Sequence, residues 1–230
     1  MSDEREQRIL DSAERLVLHY GYDKTTISDI AKEADVAKGT VYLHFDSKDD
    51  LFEALLWREI WKYTDTMVGL LEGVPQERWS FITMYEQAMF ALVDCELLQA
   101  MMRDDTRVMG SFMRRRGDKF VKMKQPMRVE MLELMQNAGA IRADVDIQNA
   151  NHLIAAMSYG MMNMHMITSP NEATPTLAEL IPTMSNMLEQ WLVPPDGGNR
   201  EAAQKIIMQI TASFKEQYKG KEMNHGDSDN

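Results

Sequence analysis

The chain has 230 residues, 44 % of them hydrophobic, and its 36 Asp and Glu outweigh 25 Lys and Arg to give a formal net charge of −11. That length holds one or two domains with a sizeable core, and no apolar run approaches the ~18 residues needed to span a bilayer. There is no charged-then-apolar export signal at the N-terminus, and the lone Cys95 cannot pair within the chain, so a reducing cytoplasm is the expected setting.

Taken in chain order, the elements read as helices. β-branched alternation is scarce, and apolar residues recur at three- and four-residue spacing. An amphipathic segment at Ile9–Val17 opens the chain and Gly21-Tyr22 closes it. Thr26 stands where a helix N-cap is expected, and Ile27, Ile30, Ala31 and Ala34 give the next helix of about two turns one apolar face. Asp35 falls at a turn that suits a left-handed backbone. A second short helix is predicted from about Ala37 to His44, with Val41 and Phe45 inward and Lys38, Thr40, Tyr42 and His44 outward. Two short helices joined by such a turn make a helix-turn-helix, whose second helix can enter the major groove. The side chains suit that placement. Gly39 lets a phosphate or base edge come close, and Lys38 and Lys48 supply charge. Thr40 and Tyr42 offer hydroxyls and apolar carbon, and His44 can donate to a phosphate. The same pattern also fits a helical hairpin with no role beyond structure.

Ser47 caps the next predicted helix, about Lys48 to Leu71, which stops at Gly73-Val74-Pro75. An apolar helical stretch follows from about Glu77 to Met102. Residues 106–138 read as one or two helices that Pro126 kinks or breaks. Asp146 caps a helix at about 147–167, and another spans about 176–193. Pro194-Pro195-Asp196-Gly197-Gly198 is a stop, Arg200 to Tyr218 a last amphipathic helix, and Lys219 to Asn230 a polar tail expected to be disordered. The domains expected are 1–50, 51–196 and 197–230.

Residues 5–56 resemble the DNA-binding domain of the tetracycline-repressor (TetR) family of bacterial transcription regulators. The likeness rests on the first helix, Gly21-Tyr22, Thr25-Thr26-Ile27, Ile30-Ala31, Val36, Lys38-Gly39-Thr40-Val41-Tyr42, His44-Phe45, Ser47-Lys48 and Leu51-Phe52. Asp35 stands where the family usually has Gly, and Ala37 where it often has Ser or Thr, which removes one hydroxyl contact. The resemblance implies an all-α chain, with a three-helix DNA-binding domain followed by a larger helical bundle for effector binding and dimerisation. It implies a dimeric repressor on a near-palindromic double-stranded operator, contacting DNA through Thr25, Thr26, Lys38, Gly39, Thr40, Tyr42, His44 and Lys48. Dimerisation is expected through the helices at about 147–167 and 176–193, where Ala155, Ala156, Ser158 and Gly160 permit close packing; neighbouring helices of one subunit would also use such residues. Activation instead of repression is not decided by these residues.

Residues 1–50 carry seven Lys and Arg against twelve Asp and Glu, so no general electrostatic grip on DNA is expected and binding must rest on a few placed cations and backbone groups. Of 21 Met, 17 lie between Met84 and Met187. They either fill the core or wall an adaptable apolar effector pocket, for which Met89, Met113, Phe120, Met157, Met161 and His165 are the candidates. The basic run Arg114-Arg115-Arg116 with Lys119, Lys122, Lys124 and Arg128 reads either as solvated surface or, at Arg116, as an anchor for an anionic effector group. The five His are too scattered for a metal site, and no cofactor is expected. The chain lacks a nucleophile elbow, phosphate loop or HExxH pair, which argues against an enzyme. The remaining alternative is a helical interaction module that does not bind DNA.

Overall fold

The computed structural model describes residues 2–117, 120, 126–166, 168 and 173–226, and these are helical with no strand among them. Helix α1 (Ser2–Tyr20) buries Ile9, Leu10, Ala13 and Val17, the apolar stripe read from sequence. It stops because Gly21 turns left-handed at φ +84°, where a Cβ would also lie 2.1 Å from the Arg107 carbonyl oxygen. Helices α2 (Ile27–Glu33), α3 (Lys38–His44) and α4 (Lys48–Glu72) follow within two residues of the expected limits.

The stretch read as continuous from Glu77 to Met102 is divided. A 3-10 turn (Gln76–Arg78) precedes α5 (Phe81–Val93), which Ser80 caps by accepting from the Thr83 N–H at 3.1 Å. The chain leaves the helix at Asp94 and Cys95 and re-enters as α6 (Glu96–Met102). Helices α7 (Thr106–Met109) and α8 (Phe112–Arg116) are short, and α9 (Pro126–Asn137) begins at the proline, whose missing N–H has no partner to lose in a first turn.

Helix α10 (Ile147–Met162) is capped by Asp146 as expected but ends earlier, where the Asn163 side chain donates to the Tyr159 carbonyl at 2.8 Å. Met164 therefore sits in a separate 3-10 turn, although the helix was expected to run to about 167. Helix α11 (Leu177–Leu192) starts with a Thr176–Glu179 capping box. Helix α12 (Arg200–Gly226) continues past Tyr218 into the segment expected to be disordered, and residues 227–230 lie outside the described residues.

Packing divides the chain into two compact units. The first joins Met1–Lys62 to Cys95–Met123. Its core includes Leu51, Phe52, Leu55, Leu97, Met109 and Phe112, with Phe52 and Phe112 edge to face at 4.7 Å. The second joins Tyr63–Asp94 to Lys124–Asn230, with α11 laid along α5 around Trp79, Ile82, Met89, Ile154, Ile181 and Leu188. Inside it the Ser158 hydroxyl donates to the Ile154 carbonyl at 2.7 Å, which leaves it to accept from Tyr85 at 2.8 Å.

Candidate nucleic-acid interface

Local sequence explains the α2–α3 geometry. Thr26 forms a capping box: its hydroxyl accepts the Asp29 N–H at 3.2 Å, and the Asp29 carboxylate accepts the Thr26 N–H at 3.1 Å. Asp35 takes the left-handed conformation at φ +53° and turns the chain between the helices. Val41, fully buried, and Phe45 dock α3 against its unit, which leaves the opposite face outward. Ala37 caps α3 without a side-chain hydrogen bond.

On the outward face stand Lys38, Gly39 and Tyr42, all exposed, with Thr40 half-buried beside them. The Lys38 ammonium sits 6.0 Å from the Tyr42 ring centre, one turn along the helix. A Cβ at Gly39 would meet nothing within 4 Å, so the fold itself does not require glycine there. Leu43 was given no role from sequence, yet it is 85 % exposed beside Tyr42. The available signal was an apolar residue lying opposite the Val41–Phe45 stripe.

Other predicted contacts are placed less favourably. Thr25 is buried and its hydroxyl donates to the Gly21 carbonyl at 2.9 Å, so it secures the turn after α1 and offers no outward hydroxyl. The Thr26 hydroxyl is engaged with Asp29 at 2.6 Å. His44 turns toward Glu6, with Nδ1 3.6 Å from the carboxylate. Lys48 lies 4.0 Å over the Tyr22 ring, and burial lowers its pKa.

Behind this surface a polar cluster ties the α1–α2 turn and the start of α4 to α7 and α8, all within the first unit. Arg115 grips Asp49 through two hydrogen bonds, at 3.0 and 2.8 Å, and donates to the Tyr22 hydroxyl at 3.0 Å and the Ser111 hydroxyl at 2.6 Å. Tyr22 donates to Asp49. The Arg115 hydrogen bonds hold the Asp49 carboxyl down at about 2, and burial, with the Asp49 bond added, pushes the Tyr22 phenol up. The Ser111 N–H and hydroxyl both donate to Asp23, which lowers that carboxyl too. Arg115 is nevertheless exposed, as the solvated reading of the basic run expects; Lys119, Lys122 and Lys124 lie outside the described residues, as does the Arg128 side chain.

The effector candidates are divided between the two units. Met113, Arg116 and Phe120 belong to the first unit, and Met89, Met157 and Met161 to the second. Arg116 is bound to Glu53 at 2.9 Å and Asp50 at 3.0 Å, so an anionic ligand there would have to displace two carboxylates. Phe120 packs on Trp57 at 5.6 Å. Met89 is buried, and Met157 and Met161 are half-buried against the same core. The His165 side chain is outside the described residues. A cleft of about 350 Å³ in the second unit is instead lined by residues such as Arg78, Phe81, Ser185, Glu189 and Arg200.

Residues 9–55 match the family model described as bacterial regulatory proteins, tetR family. This N-terminal segment is a tetR-family domain. The HTH-type transcriptional regulator AcrR of Shigella flexneri is 41 % identical over 71 residues, which is 31 % of each chain. The chain spans half or less of the length of the curated relatives it matches. Over most of the chain the similarity is one of fold. The fatty acid degradation regulator FadR from Bacillus halodurans superposes with a TM-score of 0.61 at 20 % identity, over 80 % of this chain and 94 % of its own. The transcriptional regulator FadR from Bacillus subtilis, solved with stearoyl-CoA, gives 0.57 at 20 % identity, over 79 % and 96 %.

Proposed function

We propose that this protein is a ligand-responsive transcriptional repressor that docks on a near-palindromic operator as a dimer. The observation that carries the reading is the outward face of α3: Lys38, Gly39, Thr40 and Tyr42 stand clear of the core on a helix that Val41 and Phe45 hold in place. With a net charge of −11, affinity rests on this face and its symmetry mate, not on a diffuse basic surface. Dimerisation through α10 and α11 is supported by the exposed apolar side chains Leu153, Tyr159 and Met187 on those helices.

An effector releases the operator only if it binds the non-docking arrangement more tightly. The Met-rich second unit supports a small, largely apolar ligand, and the stearoyl-CoA complex of a protein with this fold makes an acyl chain the first compound to try. Arg116, already matched by two carboxylates, is not carried forward as its anchor. No described helix is long and apolar enough to cross a membrane. The test is selection from a random duplex pool at ~150 mM salt, which suppresses weak electrostatic binding. An enriched inverted repeat supports the reading, and no enrichment by a folded protein favours an interaction module.

A further inference from the structure

We propose that Leu43 is a specificity-determining residue that reads the 5-methyl group of a thymine in each operator half-site. This rests on the DNA-binding reading of α3 and adds to it a base, a contact and a chemistry.

A leucine 85 % exposed on a short helix in an acidic, highly charged chain has no role in the fold: Val41 and Phe45 dock α3 from the opposite side. Side chains on a helix lean toward its N-terminus, so Leu43 overhangs the position four residues earlier. That position is Gly39, where a Cβ would meet nothing within 4 Å and the backbone is ordinary helix. Glycine in such a place weakens a helix, so its use there serves something that approaches from outside. Leu43 and Gly39 together leave an apolar knob above a bare stretch of backbone, a shape that admits a flat base edge carrying one protruding methyl. Thymine is the base that presents such a methyl in the major groove, and apolar side chains are its usual partners. Lys38 and Tyr42 flank the knob and suit the neighbouring phosphates and polar edges.

The test combines a protein change with a DNA change. The selected operator is resynthesised with each thymine of the half-site replaced in turn, symmetrically, by deoxyuracil, which removes the methyl alone. Full-length wild type and Leu43→Ala are titrated against each duplex by fluorescence anisotropy. One replacement should weaken the wild type about fourfold per half-site, or about fifteenfold on the symmetric operator, the value for burying one methyl. Leu43→Ala should bind the parent operator weaker by a similar factor and be indifferent to that replacement. Leu43→Met, which keeps an apolar tip, should retain most of the wild-type sensitivity. Deoxyuracil without effect at every position, or equal losses in wild type and Leu43→Ala, overturns the role of Leu43 while leaving DNA binding intact. A wild type that enriches no sequence fails earlier, and takes both readings with it.

Discussion

Gly39→Ala should make the protein more stable and worse at its task. In α3 the substituted Cβ would meet no atom within 4 Å, and the position needs no positive φ, so the fold accepts alanine without a clash. Replacing glycine by alanine inside a helix gains about 1 kcal/mol, and roughly half of that is expected one residue into a seven-residue helix. The expected gain is therefore about 0.5 kcal/mol in urea denaturation, or about 1–2 °C in melting temperature for a chain of this size. The new methyl projects from the face where a base edge or phosphate must come within contact distance. Operator affinity, measured by anisotropy on the selected duplex, should fall at least about tenfold, equivalent to roughly 1.4 kcal/mol. Lost stability would mean that α3 is more tightly covered than described. Stability gained with affinity unchanged would refute the idea that DNA approaches over Gly39.

Three further outcomes follow from the packing. Gly21→Ala forces a Cβ to 2.1 Å from the Arg107 carbonyl oxygen at φ +84°, so a loss on the order of 3 kcal/mol is expected in chemical denaturation. Asp49 is held at about 2 by Arg115, below its ordinary 3.8, so it stabilises the fold above pH ~4, and that contribution is lost as pH falls through 2. Asp49→Asn should lower stability at neutral pH by about 1 kcal/mol, once screening by solvent is allowed for, and flatten the decline between pH ~4 and ~2 in acid titrations. Ser158→Ala deletes the buried bond to Tyr85 and should cost about 1–2 kcal/mol in the second unit's unfolding transition, with the operator-binding face untouched.

What could be read from sequence was local. The Thr26 N-cap, the left-handed Asp35 and the Val41–Phe45 stripe each arise within a few residues, and each stands in the structure where spacing put it. The break at Asp94 and Cys95 carries no glycine or proline, so periodicity runs through it unseen. The Asp23–Ser111 and Asp49–Arg115 contacts join residues 88 and 66 apart, which a helical reading of each segment cannot bring together. That distance in sequence is also why the partners of Arg115, an exposed side chain as expected, went unread. Thr25 failed differently: its hydroxyl suits a phosphate as well as a carbonyl, and only burial shows which one it meets. Leu43 was passed over because apolar side chains are assigned inward by default, although its spacing from Val41 pointed out of the core.

The most direct test of the account is the affinity of Tyr42→Ala for the selected operator, measured beside its folding. Tyr42 is 48 % exposed, so truncation should leave the melting temperature and oligomeric state unchanged. The wild type should bind as two chains per duplex, and Tyr42→Ala at least about tenfold more weakly. A folded Tyr42→Ala that binds the operator as tightly as the wild type would contradict the assignment of α3 as the element that meets DNA.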